Sequence, residues 1–484
     1  MALRQAYGSV VYNQISITPC LTKRFPMTKT NSQFGVSAIV LAAGLGTRMQ
    51  SNLPKVMHKI AGQPLVNHVT DALSQAGIED LTVVIGPDME IVAKAVSPFP
   101  TVVQASQSGT GDAVKSALDH ITDKDGHVLV LFGADPLIQA DTILRMIARR
   151  EQADNPAVVV LGFRPDDPGA YGRLIAADKD QLSAIIEAKE ADAETLALNL
   201  CNSGIMAIDR SVLTVLISEI TNDNTKGEYY LTDIVAIARK LGRTCAYVEG
   251  DANEFIGVDT RADLADAEAT LQTRLRQNAL TNGATLIDPK SVHLSFDTKI
   301  GSDVVIEPFV VIAPGVTIDD NALIRAYSHL EGAHVSSGAV IGPYARLRPG
   351  AQIGVDAKIG NFVEVKNAIF EAGAKANHLS YVGDARVGAK ANIGAGTITC
   401  NYDGYNKSHT DIGAGAFIGS NTALVAPVKV GDGAIVGAGS TITKAVPDNA
   451  LAVTRASQKI SDGYATSYRK LKAARKERAK LKNK

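Results

Sequence analysis

The chain has 484 residues, more than one hydrophobic core ordinarily supports, and its 49 Lys and Arg balance 50 Asp and Glu to a net charge of −1. That balance excludes a global pull toward nucleic acid or membrane surfaces, and no apolar run approaches the roughly 20 residues that span a bilayer. Hydrophobic residues at 45% and charged residues at 20% exclude a disordered chain, while 42 glycines and no Trp favour tight, repeated turns over a bulky core. The cysteines, Cys20, Cys201, Cys245 and Cys400, are far apart and form no C-x-x-C pair. Such spacing argues against a zinc cluster or a disulfide framework and fits a reducing cytoplasm.

In chain order, residues 1–35 read as a disordered or leader-like extension, basic at Arg4, Lys23, Arg24 and Lys29, with Met27 as the effective start. Residues 36–260 alternate apolar runs (38–41, 81–85, 128–132) with helical stretches such as 64–76. This is the pattern of an α/β, Rossmann-like domain with a largely parallel sheet, whose ligands bind at the carboxyl ends of the strands. Leu264, Ala267, Leu271 and Leu275 recur at helical spacing, which predicts a linker helix within 261–284.

Beyond this helix the period becomes six. Ile300, Ile306, Ile312, Ile318, Ile324 and Leu330 are followed, after a one-residue slip, by Val335, Ile341, Leu347, Ile353, Ile359 and Val365. A third run holds Ile412, Ile418, Leu424, Val430, Val436 and Ile442. A period of six is no helix. Each hexad supplies one short strand and one turn, three make a triangular coil, and stacked coils bury the apolar residue inside a parallel β-helix over 285–457. The register is imperfect over 366–380 and is broken by Asn401 to His409, where Asp403-Gly404 predicts a turn in an inserted loop. Residues 458–484 form a basic tail, read as a solvated segment.

The strand at 38–41 runs into Ala42-Ala43-Gly44-Leu45-Gly46-Thr47-Arg48-Met49, then Leu53-Pro54-Lys55. Glycines at this position let backbone N–H groups approach a phosphate, and Arg48 and Lys55 add cations where pyrophosphate would leave. The string is neither a P-loop nor a dinucleotide-binding fingerprint. In full it resembles the sugar-1-phosphate nucleotidylyltransferases. Together with the hexads, the chain from about Ser37 to Arg455 resembles the bifunctional N-acetylglucosamine-1-phosphate uridylyltransferase/glucosamine-1-phosphate acetyltransferases.

The resemblance implies a left-handed β-helix, a cytoplasmic homotrimer with active sites between subunits, and UDP-N-acetylglucosamine made for cell-envelope polymers. It also implies UTP and UDP-sugar contacts at Leu41, Ala42, Ala43, Gly44, Lys55, Gln104, Gly109, Thr110, Gly172, Glu187 and Asn202. Tyr171, Arg173 and 229–233 would join Glu187 and Asn202 on the sugar-phosphate side. Chemistry would rest on in-line attack at the α-phosphorus, aided by Arg48, Lys55 and Mg2+. The family's Gly-Asp-x-Pro-Leu metal motif stands here as Gly133-Ala134-Asp135-Pro136-Leu137, and its Asn ligand stands as Asp259. Either Asp135 reaches the ion through a shifted backbone, or Asp259 supplies the missing charge.

In the second half the resemblance makes His378 the general base of acetyl transfer, a residue type that exchanges protons near neutral pH. It makes Arg348 and Lys366 phosphate binders, Tyr381 and Asn392 sugar contacts, and Asn401, Tyr402, Ser420, Ala438 and Arg455 contacts to acetyl-CoA. Lys407 lies nearby in the inserted loop. Two other readings stay open on the sequence: an acetyltransferase with a silent nucleotide domain, and a non-catalytic regulatory subunit built from the same two folds.

Overall fold

The computed structural model describes residues 35–121, 125–177 and 180–482. The predicted extension 1–35 therefore lies, apart from Gly35, outside the described residues. Two compact units, Met1–Leu271 and Gln272–Lys484, divide within the helix Arg261–Thr281.

In the first unit, Gly35–Leu41, Asp80–Ile85, Gly126–Phe132 and Val158–Phe163 are apolar almost throughout, because helices cover both faces of the sheet they form. The strand order is Cys245–Glu249, Val158–Phe163, Cys201–Asp209, Gly126–Phe132, Gly35–Leu41, Asp80–Ile85, Thr101–Val103. All neighbours pair in parallel except Cys201–Asp209, which is antiparallel to both of its partners. The predicted helix at 64–76 forms as Leu65–Gln75, turning Leu65, Val66, Val69 and Leu73 into the core. Register then positions the site. Leu41 stands opposite Phe132, and Gly133 N donates to Leu41 O at 2.9 Å. The glycine loop after one strand and the turn Gly133-Ala134-Asp135 after the other are thereby held side by side at the carboxyl ends.

The second unit is the three-sided parallel β-helix that the hexads predict. Every inward residue of the three runs is at most 2% exposed, except Ile300, which packs partly buried against the same continuous core. The imperfect stretch is resolved without leaving the coil. Phe370, Ala376, Val382, Val387 and Ile393 carry the inward column on, each buried, with shortened steps to Phe370 and Val387. Thr399 fills the next inward position and pairs with Leu424 beyond the inserted loop. In that loop Asp403 Oδ1 accepts from the backbone N–H of Tyr405 and Asn406 at 2.8 and 2.6 Å, closing the turn read from Asp403-Gly404. In the basic tail, Tyr464–Lys482 is one helix, exposed along its described length.

Because the rungs above and below fix the coil backbone, truncating an inward residue leaves a cavity that the coils cannot close. Ile312→Ala should lower stability by about 2–4 kcal/mol, against less than about 1 kcal/mol for the neighbouring outward Val311→Ala. Urea unfolding followed by circular dichroism checks both; equal losses would contradict the inward register.

Candidate functional site

The carboxyl ends of the first unit's strands open into a cavity of about 800 Å³. Its wall includes every predicted nucleotide residue: Leu41, Ala42, Ala43, Gly44, Lys55, Gln104, Gly109, Thr110, Gly172, Glu187 and Asn202, together with Asp135 and Asp259. Two glycines are there for steric reasons. Gly46 has φ 70°, and a Cβ on it would lie 2.5 Å from Lys55 Cβ, so the loop folds directly over the lysine. Gly109 has φ 114°, and a Cβ would lie 2.6 Å from Tyr229 O. That close approach fixes the 229–233 segment against the cavity, where Leu231 N also donates to Thr110 Oγ1 at 3.0 Å.

On the opposite side Asn202 N donates to Gly172 O, and Thr232 Oγ1 reaches Glu187 at 3.4 Å. Arg173 departs from its implied role. It is 3% exposed and its guanidinium is spent on the backbone carbonyls of Leu198, Leu196 and Tyr171, so it braces the wall and does not face a ligand. Gln107, which sequence reasoning missed, also lines the cavity and donates to Ala43 O at 2.6 Å. A lone Gln in a loop carries no signal of this kind.

Arg48 stands at the rim with a 68% exposed side chain, and pairs with Asp259 at 3.0 Å. Lys55, half hidden beneath the glycine loop, meets the other oxygen of the same carboxylate at 2.8 Å. Asp135 lies beyond the end of its strand in a turn, so the alternation of strand side chains no longer applies to it. Ala134 O accepts from Val258 N at 3.0 Å, which brings the two acidic segments together, and a Cβ on Gly257 would lie 3.2 Å from Asp135 Oδ1. Burial pushes the Asp135 carboxyl up to about 7; Asp259 adds to the rise and Lys55 opposes it. A buried carboxyl, Asp135, beside the more exposed and cation-paired Asp259 offers hard oxygen donors of the kind a divalent cation takes. Among the described residues no group of three or more His, Cys, Asp or Glu could hold a metal. Substrate phosphates would therefore complete its shell, as is usual for magnesium.

In the second unit the stack sets the geometry. Backbone bonds run from Leu379 N to Asn361 O, Gly396 N to Leu379 O, Asn421 N to Ala395 O and Gly439 N to Ser420 O. Asn361, His378, Ala395, Ser420 and Ala438 consequently form one column down one corner, and Arg455 ends it by donating to Ala438 O at 2.7 Å. His378 Nδ1 lies 2.6 Å from Asn361 Oδ1 one coil away. Asn361 was missed in the sequence, although the register that pairs it with His378 is the periodicity itself. Asn392 and Tyr381 stand on the two faces that meet at this corner.

Along the adjoining face Arg348 pairs with Glu364 at 2.8 Å. Lys366 faces Lys407 of the inserted loop, and the two ammonium groups hold the Lys366 pKa below its usual value. An anion arriving there relieves that repulsion. Asn401 donates to Asp384, and burial works against ionisation of that carboxyl, yet bonds from Asn367 and Asn401 and the two lysines keep it below the ordinary range. The predicted acetyl-CoA residues thus divide. Asn401 and Tyr402 stay with the cations, whereas Ser420, Ala438 and Arg455 follow the column.

The MobA-like NTP transferase domain family matches residues 38–197, and the bacterial transferase hexapeptide family matches 297–332 and 409–444. The Bifunctional protein GlmU of Paramagnetospirillum magneticum is 59% identical over 91% of this chain and 98% of its own. Those of Rhodospirillum rubrum and Rhodopseudomonas palustris are 57% and 54% identical over 92% and 90% of this chain, and 98% and 96% of theirs. These alignments span nine-tenths or more of the chain, enough to take in both the α/β unit with its cavity and the hexapeptide coils. The chain belongs to the GlmU family of left-handed β-helical bifunctional transferases, which acetylate glucosamine 1-phosphate and uridylylate the product to UDP-N-acetylglucosamine.

Proposed function

We propose that acetyl transfer takes place at the corner column of the β-helix and uridylyl transfer in the cavity of the first unit. The working boundaries are 36–260 for the nucleotidyl domain, 261–284 for the linker helix and 285–457 for the acetyl-transfer domain. The observation that carries the assignment is the column itself: a histidine, three small residues and a terminal arginine in line. An amide oxygen only accepts, so Asn361 Oδ1 requires the proton on His378 Nδ1. The lone pair is left on Nε2, where it removes the proton of the attacking amine. Arg348 and Lys366, supported by Lys407, bind the sugar phosphate, and Tyr381 and Asn392 orient the ring. Acetyl-CoA runs past Ser420 and Ala438 to Arg455, with Asn401 and Tyr402 closing the acetyl end.

In the cavity UTP lies over Leu41, Ala42, Ala43 and Gly44, with Gln104, Gly109 and Thr110 at the base and Gly172, Glu187 and Asn202 at the sugar. Asp135 and Asp259 would hold Mg2+, which when bound neutralises charge on the phosphates. Arg48 and Lys55 exchange their contact with Asp259 for the departing pyrophosphate. We further infer a cytoplasmic homotrimer. His378 and Tyr402 are exposed on a single chain, and Cys201, Cys245 and Cys400 are free. Sedimentation of the purified chain should return three times the monomer mass; a monomer active in acetyl transfer would contradict it.

His378→Ala should lower acetyl transfer by about 10²–10⁴-fold while pyrophosphate release from UTP stays within twofold. Loss of both activities in a folded chain would contradict separate sites. Asp259→Ala should reduce pyrophosphate release by about 100-fold and spare acetyl transfer. Unchanged release would remove Asp259 from the metal assignment.

A further inference from the structure

The segment that follows the strand Thr101–Val103 contains an arrangement that the roles above leave unused. Gln104 continues the sheet through its backbone, donating to Ile85 O at 2.8 Å, and its side chain is 4% exposed. Both amide hydrogens are engaged: Nε2 donates to Gly109 O at 2.9 Å and to Asp112 Oδ2 at 2.7 Å. No hydrogen bond among the described residues occupies Oε1, and Gln104 lines the cavity. Asp112 Oδ2 accepts in addition from Ser106 Oγ at 2.7 Å and Ser108 N at 3.2 Å. It stands in the first turn of the helix Thr110–Ala117, where negative charge is favoured. Burial works against its ionisation, but the bonds from Gln104, Ser106 and Ser108, with Lys115 nearby, hold the carboxyl below its ordinary range.

A side-chain amide is nearly symmetric in shape, so which end faces a ligand is decided by its partners. Here both partners are oxygens without a hydrogen to give. Turning the amide over would set Oε1 against a carboxylate and a carbonyl and leave two acceptors unpaired. Gly109 cannot move aside to accommodate this, because its backbone is pinned against Tyr229. Gln104 therefore offers the cavity an acceptor and no donor. Uracil carries a hydrogen on N3 that an acceptor can receive, whereas cytosine presents a lone pair at the same position.

We propose that Asp112 is a specificity-determining residue of the nucleotidyl site, locking the Gln104 amide so that the pocket takes a base with an N3–H and rejects cytosine. It acts through Gln104 and touches no substrate itself. The inference rests on the reading that Gln104 faces the base.

Equilibrium binding of UTP and CTP to the full chain with magnesium, by calorimetry, tests both layers separately. Asp112→Ala should lower the UTP-over-CTP selectivity by about tenfold, the scale of one charge-assisted hydrogen bond. Asp112→Asn, which keeps one neutral acceptor, should fall between. Acetyl transfer by the same preparations should be unchanged and reports an intact chain. Selectivity unaltered in Asp112→Ala, or UTP and CTP weakened equally, would overturn the lock as a merely structural contact. Gln104→Ala distinguishes the foundation: if it also leaves selectivity unaltered, Gln104 does not face the base. If it abolishes selectivity while Asp112→Ala does not, the lock alone fails.

Discussion

Backbone pairing in a β-helix has one source, the coils above and below, and it dictates where anything else can be placed. Each hexad must return an apolar side chain to the narrow core, as Ile312, Leu330, Leu347, Val365 and Val382 do on successive rungs. A side chain that bears chemistry cannot stand inside and cannot interrupt the ladder. Only the corners and inserted loops remain. Because strands pair at about 4.8 Å, corner residues repeat at that spacing, and a column of them forms a narrow track. His378, Ala395, Ser420 and Ala438 occupy such a track. A long, thin acyl carrier matches it better than a compact ligand would.

The first unit solves a different problem, how to bring loops from separate strands together in one place. Parallel neighbours end their strands at the same level, so Leu41 and Phe132 deliver their loops together. Asp259 then ties the set by pairing with both Arg48 and Lys55. That carboxylate keeps the two cations from repelling each other. The resemblance implies an Asp-and-Asn pair, whereas this chain sets two carboxyls there, one of them, Asp135, held toward its neutral form by burial. Asp135 stands in a turn just past the strand, next to Ala134, and the backbone bond from Val258 N to Ala134 O brings its segment beside that of Asp259.

Periodicity made the β-helix legible residue by residue, since a six-residue repeat has one structural solution. The α/β half was legible in its strands and in the helix at 64–76, because runs buried on both sides are continuously apolar. Three things were not. The coil through 366–380 was obscured by Ala376, too small to register as an apolar marker, and by shortened steps to Phe370 and Val387. Arg173 could not be separated from a ligand-facing arginine, because its turn toward Leu196 and Leu198 depends on a tertiary contact. Asn361 and Asp112 act on other side chains, and a pairing of that kind has no sequence signature until register or a helix start brings the partners together.

The corner next to His378 shows how the coils divide backbone strain. One turn residue per coil adopts positive φ there: Phe309, Tyr327, Tyr344, Phe362 and Leu379, then Gly396, Asn421 and Gly439. Glycine and asparagine tolerate this conformation, whereas bulky residues incur strain on the order of 1–3 kcal/mol each. The four aromatics offset part of it by stacking, with centroids 5.0, 4.8 and 5.2 Å apart and planes within 23° of parallel, worth about 0.5–1.5 kcal/mol per pair. Three stacked pairs return less than four strained turns cost, so sterics alone would have favoured glycine along the whole column. The change from rings to small residues falls between Leu379 and Gly396, at the level of the histidine. The corner is therefore low from Gly439 to Gly396 and raised at Leu379 beside His378, a step that would limit how far a ligand bound as proposed could extend.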